Sequence, residues 1–323
     1  MVKAAKTITI GIDLGGTKML AALVDRDGVF LEESRLPTNV SNGSEGIIND
    51  ITGVVRKIEE RFKGEVLSLG VGVAGQVTRE GVVLAAPNLP FENEPLQKRL
   101  EEEFNIPVAV TNDVRAAAYG EWKYGAGQGV DDLVVLFVGT GIGGGVVSGG
   151  RLLEGCSNSA GELGHITLIS KGRKCRCPNY GCIEAYAGGW AIAERAQEAV
   201  ANNPAGGKML RDLAGSVEDI SAETVSKAYK QGDQLARTIT EETGRYLGAG
   251  AVGIVNAFNP CLFILGGGVI EGMPTLLSIA EDHIKRRALK PNQGVKVVKT
   301  SLGAYAGMIG AAAFAREKIS EHL

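Results

Sequence analysis

Asp13-Leu14-Gly15-Gly16-Thr17-Lys18 follows the run Thr7-Ile8-Thr9-Ile10-Gly11-Ile12 and precedes Met19-Leu20-Ala21-Ala22-Leu23-Val24. An apolar or alternating stretch that ends in glycines and restarts as a second apolar stretch reads as strand, tight turn and return strand. Asp27-Gly28 is a hairpin dipeptide leading into a third strand over Val29–Ser34. The same order of events recurs: Asp132–Val138 reads as a strand, Gly139–Gly145 as a glycine loop, and Val146–Leu153 as a hairpin turning at Gly149-Gly150. A module used twice predicts two related α/β halves, each a mixed sheet flanked by helices. No segment is rich enough in Pro or Ser to be a flexible joint, so the halves are expected to pack closely around a cleft.

Between the repeats, Glu45–Phe62 places Ile47, Ile48, Ile51, Val54, Val55, Ile58 and Phe62 on one helical face. Val66–Val73 reads as a buried strand, and Leu96–Phe104 as a helix whose Glu101-Glu102-Glu103 run is a solvated face. Val108–Thr111 is a further strand, ending at Asn112-Asp113. Several helices lie between about Ile183 and Phe258, Cys261–Leu265 is a strand ending in Gly266-Gly267-Gly268, and Gly303–Ile319 is a helix of small residues. The expected division is residues 1–115 with 304–323 as a smaller domain, and 116–303 as a larger one.

Composition narrows the class. Of 323 residues, 44% are hydrophobic and 22% charged, ordinary for a globular enzyme. Glycine, at 46 residues, is about twice its usual share and clusters after apolar runs, which points to strand-exit turns. A net charge of −3 leaves no electrostatic footprint for nucleic acid. No apolar run has the length of a membrane span, and Met1–Lys6 leads into a strand rather than a signal peptide. Three of the five cysteines crowd into Cys175–Cys182, a pattern of metal binding in a reducing compartment, so a cytoplasmic location is expected.

Gly139-Thr140-Gly141-Ile142-Gly143-Gly144 matches G-x-G-x-x-G, but a dinucleotide fingerprint needs a helix next, and a hairpin pattern follows. The Asp13–Lys18 loop lacks the Walker A spacing. Both loops nevertheless combine small side chains with exposed backbone N–H groups, which lets phosphate oxygens approach closely. The bland reading, glycines that merely make tight turns, is weakened by the repeat and by the Asp and Lys in one copy.

Glu162-Leu163-Gly164-His165 is followed by Cys175-Arg176-Cys177-Pro178-Asn179-Tyr180-Gly181-Cys182-Ile183-Glu184. One imidazole and three thiolates can close a tetrahedral zinc site with His165, Cys175, Cys177 and Cys182 as ligands, a closed structural site that pins an irregular loop. Asn112-Asp113 precedes a helix start, and by local pattern Asp113 reads as an N-cap. Cys156 and Cys261 read as ordinary small residues, the latter in a buried strand, and His283 and His322 are expected at the surface.

The two loops resemble those of the sugar-kinase, actin and Hsp70 ATPase superfamily, and with the cysteine segment the chain resembles the ROK family of sugar kinases and sugar-responsive repressors along essentially its whole length. The resemblance implies a two-domain actin-like ATPase (ribonuclease H-like) fold. It implies that Gly15, Gly16, Thr17 and Lys18 line the first phosphate loop, Gly139, Thr140 and Gly141 the second, with Gly266, Gly267 and Gly268 near the adenosine of ATP. Asp13 would orient Mg2+ through water. The Asn112-Asp113 pair would bind sugar, with Asp113 as general base, and Asn88, Glu162, His165 and Glu184 would contact sugar hydroxyls. Two positions depart from the family pattern: Pro178 stands where Gly is usual, and Ala74 where Pro is common.

The implied activity is ATP-dependent phosphorylation of the 6-hydroxyl of an aldohexose, glucose first, with N-acetylglucosamine, N-acetylmannosamine or fructose as alternatives and a homodimer or homotetramer as the assembly. Polyphosphate is the less expected donor. The repressors carry a helix-turn-helix ahead of the first strand; with that strand expected near Thr7, an enzyme is the expectation rather than a regulator.

Overall fold

The computed structural model describes residues 8–62 and 64–320. Thr7, His322 and the Met1–Lys6 run therefore lie outside the described residues. The chain divides into two compact units, 1–129 with 152–161 and 301–323, and 130–151 with 162–300.

In the first unit β1 (Ile8–Leu14) and β2 (Lys18–Asp25) pair antiparallel, Asp13 opposite Leu20 and Leu14 opposite Met19. β3 (Phe30–Pro37) extends the pair antiparallel. Helix α1 (Gly43–Arg61) buries Ile47, Ile48, Ile51, Val54, Val55 and Ile58, the stripe its periodicity predicts. β4 (Val66–Val73) runs parallel to β1. Three short strands, β5 (Gln76–Val77), β6 (Val83–Ala85) and β7 (Glu92–Glu94), make a small separate sheet. Helix α2 (Leu96–Phe104) leads to β8 (Val108–Asn112), parallel to β4, and then to helix α3 (Asp113–Tyr124). The main sheet has the order β3-β2-β1-β4-β8, its core filled by Ile8, Ile10, Ile12 and Leu14 against Leu69, Val71 and the α1 stripe. β8 is an edge strand, and α2 covers its outer N–H groups. Val108 N–H donates to Glu101 Oε1 at 3.4 Å and Val110 N–H to Gln97 Oε1 at 3.3 Å, so Glu101 is not simply a solvated acid.

The second unit repeats that topology. β9 (Leu133–Val138), β10 (Ile142–Ser148) and β11 (Arg151–Leu152) are followed by α4 (Glu184–Ala187), α5 (Gly189–Asn202), α6 (Lys208–Ala214), α7 (Ala222–Lys230) and the long α8 (Gln234–Phe258). β12 (Leu262–Gly266), α9 (Gly268–Gly272), α10 (Thr275–Arg287) and β13 (Lys296–Lys299) complete it. The order β11-β10-β9-β12-β13 matches the first sheet position for position, with an antiparallel β9–β10 pair and parallel β12 and β13. This duplicated mixed sheet flanked by helices is the ribonuclease H-like, actin-like ATPase fold. Two local expectations change. Gly143, Gly144 and Gly145 pair with Phe137, Leu136 and Val135 as strand residues, leaving only Gly139–Gly141 as the turn. Cys261 is exposed, one residue ahead of β12.

At Ser301 the chain re-enters the first unit, where α11 (Ala306–Ser320) packs on β1, β4, β8 and α3. Residues 152–161 also belong there: Asn158 Nδ2 donates to the Val77 carbonyl at 3.0 Å, and Arg115 donates to the Asn158 carbonyl at 2.6 Å. The sequence places its boundaries at 115/116 and 303/304, but the first falls inside the continuous helix α3; the compact units part at 129/130 and 300/301 instead. Among the described residues no helix is long and apolar enough to cross a membrane.

Candidate active site

The first turn is closed by Gly15 N–H donating to the Lys18 carbonyl at 3.0 Å, while Thr38 Oγ1 donates to the Gly15 carbonyl at 2.8 Å. A Cβ at Gly16 would lie 2.6 Å from both Cβ and the carbonyl oxygen of Asn88. The fold thus lays the exposed Asn88 turn directly on the glycine turn, a contact only glycine permits. Ala74 N–H bonds the Leu14 carbonyl at 3.1 Å, so the departure at that position leaves an ordered strand exit. Asp13, the penultimate residue of β1, has its carboxyl pushed up to about 7, first by burial, then by the charge of Asp113, with Lys18 pulling it back. A half-buried acid under the charge of a second acid is a site that a hard divalent cation would stabilise.

Asn112 ends β8 and is the N-cap of α3. Its Oδ1 accepts from Arg115 N–H at 3.0 Å, and its Nδ2 donates to the Gly75 carbonyl at 3.1 Å and to Asp113 Oδ1 at 2.9 Å. The capping role that local pattern offers Asp113 is therefore filled by its neighbour. Asp113 becomes the first helical residue, held by the Asn112 amide and favoured as an anion by the helix N-terminus.

In the second unit, Gly139 N–H donates to the Gly141 carbonyl at 2.9 Å across the turn. The start of α5 straps the turn from outside: Gly189 N–H donates to the Gly139 carbonyl at 2.9 Å and Trp190 N–H to the Thr140 carbonyl at 3.0 Å. Gly266 is the buried end of β12 and Gly267, at φ +94°, swings the chain into α9. A cavity of about 700 Å³ is lined by Gly139, Thr140, Trp190, Ser226, Gly268 and Met273, so the second turn and the third glycine cluster share one pocket. Trp190, Ser226 and Met273 carry no motif that singles them out in sequence.

Glu162 is exposed and its carbonyl accepts from His165 N–H at 3.1 Å, closing a single 3-10 turn over Leu163–His165. His165 Nδ1 lies 3.7 Å from Cys175 Sγ, Cys177 Sγ lies 3.7 Å from Cys182 Sγ, and all four ligand atoms fall within 4.8 Å of one another. Ligands at about 2.0–2.3 Å from a tetrahedral zinc stand roughly 3.3–3.8 Å apart, so the donor set and spacing fit that ion. With Nδ1 facing the thiols, Nε2 is the nitrogen left for another partner. Burial pushes the Cys175 thiol up to about 12 and raises Cys182 as well, whereas a divalent cation would hold both as thiolates. Pro178 sits in the turn closed by Cys175 N–H to the Asn179 carbonyl at 3.0 Å, and the four ligand atoms still converge. Glu184 is 8% exposed, and both its oxygens accept within the protein, from Ile142 N–H at 2.7 Å and from the Trp190 indole at 3.1 Å.

A model of the ROK family matches residues 9–318. A glucokinase of Streptomyces coelicolor is 35% identical over 314 residues, 96% of this chain and 98% of its own length. The DNA-binding transcriptional dual regulator NagC of Escherichia coli is 31% identical over 298 residues, 91% of this chain and 71% of its own. Among solved structures, a ROK family glucokinase from Streptomyces griseus in complex with glucose and AMPPNP matches with a TM-score of 0.83 and 37% identity, covering 96% of this chain and 99% of that one.

Proposed function

The chain belongs to the ROK family, and on that premise we propose that it transfers the γ-phosphoryl group of ATP to the 6-hydroxyl of an aldohexose, glucose first. The observation that carries the reading is the Asn112-Asp113 pair: Asn112 caps α3 and donates to Asp113, so the acid is positioned rather than used up as a cap.

In this reading Asp113 accepts the proton of the attacking hydroxyl, since phosphoryl transfer asks the protein mainly for positioning and charge neutralisation. In the turns Gly15–Lys18 and Gly139–Gly141, the N–H groups other than those of Gly15 and Gly139, which close the turns themselves, receive phosphate oxygens, and the cavity beside Gly268 receives the nucleoside. Asp13 would hold Mg2+ through water, and the ion would supply positive charge to offset that of the phosphates. His165, Cys175, Cys177 and Cys182 would hold a structural Zn2+, leaving His165 Nε2 and Glu162 for sugar hydroxyls, with Asn88 and Asn112 as further contacts; Glu184, whose oxygens accept from Ile142 and Trp190, would reach a hydroxyl only through a remaining lone pair.

A coupled ADP-release assay over glucose, N-acetylglucosamine, N-acetylmannosamine and fructose, with ATP and with polyphosphate, tests the proposal; turnover of glucose with ATP is expected. Sugar sensing without turnover is the second reading, favoured by the likeness to NagC. Sugar binding with no ADP release in the same assay would establish it instead.

A further inference from the structure

Glu184 stands where three parts of the second unit meet. Its Oε2 takes the N–H of Ile142, the residue that ends the second glycine turn, at 2.7 Å. Its Oε1 takes the indole N–H of Trp190 at 3.1 Å and lies 3.9 Å from Cys175 Sγ. Trp190 lines the cavity with Gly139 and Thr140, and the guanidinium of Arg176, from the cysteine segment, lies over its ring at 4.7 Å. The indole is therefore fixed on its face by Arg176 and at its edge by Glu184. The glycine turn is fixed from both sides, its carbonyls by α5 and its exit N–H by the same carboxylate.

We propose that Glu184 is a positioning residue for nucleotide binding, holding the second glycine turn and the Trp190 indole in register, so that the cysteine segment sets nucleotide affinity as well as serving the sugar. The inference rests on the kinase reading of the cavity. Its chemistry is specific. Both groups facing Glu184 are donors, and a carboxylate offers an acceptor to each. A glutamine in the same pose offers one acceptor and one NH2, which must face either the Ile142 N–H or the indole N–H, leaving a buried donor unpaired.

The test measures AMPPNP binding calorimetrically, with magnesium and without hexose, so that sugar contacts do not enter. Glu184→Gln is expected to weaken binding about tenfold, an effect typical of leaving a buried donor unpaired. Trp190→Phe, which removes one donor, is expected to cost less. The double variant is expected to bind more tightly than Glu184→Gln alone, because the carboxamide can turn its NH2 toward the ring that now lacks a donor. A purely structural role would lower the melting temperature without that reversal of sign. Gly141→Ala is an independent variant: its Cβ would stand 2.5 Å from Glu184 Oε2 and should displace the carboxylate, weakening AMPPNP similarly. It carries the test if Glu184→Gln does not fold. Wild-type affinity in folded Glu184→Gln or in Gly141→Ala, or a double variant no tighter than the single one, overturns the proposal. A wild-type protein that binds no AMPPNP overturns the kinase reading itself, and this inference with it.

Discussion

Asp13→Asn removes a carboxyl that the fold holds at about 7, against 3.8 for an ordinary aspartate. A group whose native pKa lies above its unfolded value binds its proton more tightly when folded, so its contribution to stability is full below 3.8 and is lost as pH rises through 7. Across that interval, at 1.36 kcal/mol per pH unit, the loss is roughly 4 kcal/mol. Residual hydration of the half-buried side chain lowers the expected figure to about 2–4 kcal/mol. Asparagine keeps the shape and never ionises. The variant should therefore exceed the wild type in stability at pH 8 by about 2–4 kcal/mol, the gap closing toward pH 4. Urea unfolding at pH 4, 6 and 8 without magnesium measures it, read on the transition of the first unit. Magnesium with ATP should narrow the gap, by giving the wild-type carboxylate a cation, while the variant turns over poorly. A stability difference that is the same at all three pH values would refute the linkage and count against the proposal that Asp13 anchors a cation.

Asp113→Asn should lower kcat by about two decades or more with hexose KM little changed, as expected on losing a general base; near-normal turnover would remove Asp113 from that role. Cys177→Ser should lower the melting temperature and raise hexose KM together, and chelator treatment of the wild type should reproduce both; if neither moves, the four-ligand cluster braces nothing. Gly16→Ala should weaken ATP binding and cost about 1–3 kcal/mol of stability, the scale of overpacking, because its Cβ would press into Asn88. An alanine variant of unchanged stability and ATP affinity would mean that the Asn88 turn yields freely.

The ends of α2 are legible in the sequence because an apolar pattern there stops at strong punctuation, Pro95 before the helix and Asn105, at φ +52°, after it. β5, β6 and β7 are not, since strands of two or three residues show no period. Gly143–Gly145 looks like loop because glycine carries no side chain to reveal a strand face; its place in β10 is decided by pairing with β9 and by Leu163, which packs where a Cβ of Gly144 would sit. His283, expected at the surface, is half-buried, with its Nδ1 lacking a partner among the described residues, because α10 lays it over Gly248 of α8. The convergence of His165, Cys175, Cys177 and Cys182 is legible from residue type and spacing alone. The cap role of Asn112 and the double bond of Glu184 are not, since they depend on which way a side chain turns and on partners up to 42 residues away.

The two modules share a topology but not a charge pattern, and that difference assigns their work. In the first, Asp13 stands one residue before the end of β1 and faces the turn that holds Lys18. The matching place in the second, one residue before Val138, is Phe137, and the turn Gly139-Thr140-Gly141 carries no charge at all. A hard cation needs oxygen ligands and so can be anchored by the first turn alone. The second turn, with its Gly139 and Thr140 carbonyls taken by α5, offers N–H groups and the Thr140 hydroxyl, donors that suit anionic phosphate oxygens provided no acid points at them. Glu184 meets that condition because both its oxygens are turned inward, onto Ile142 and Trp190, so its charge orders the turn instead of repelling what the turn would bind.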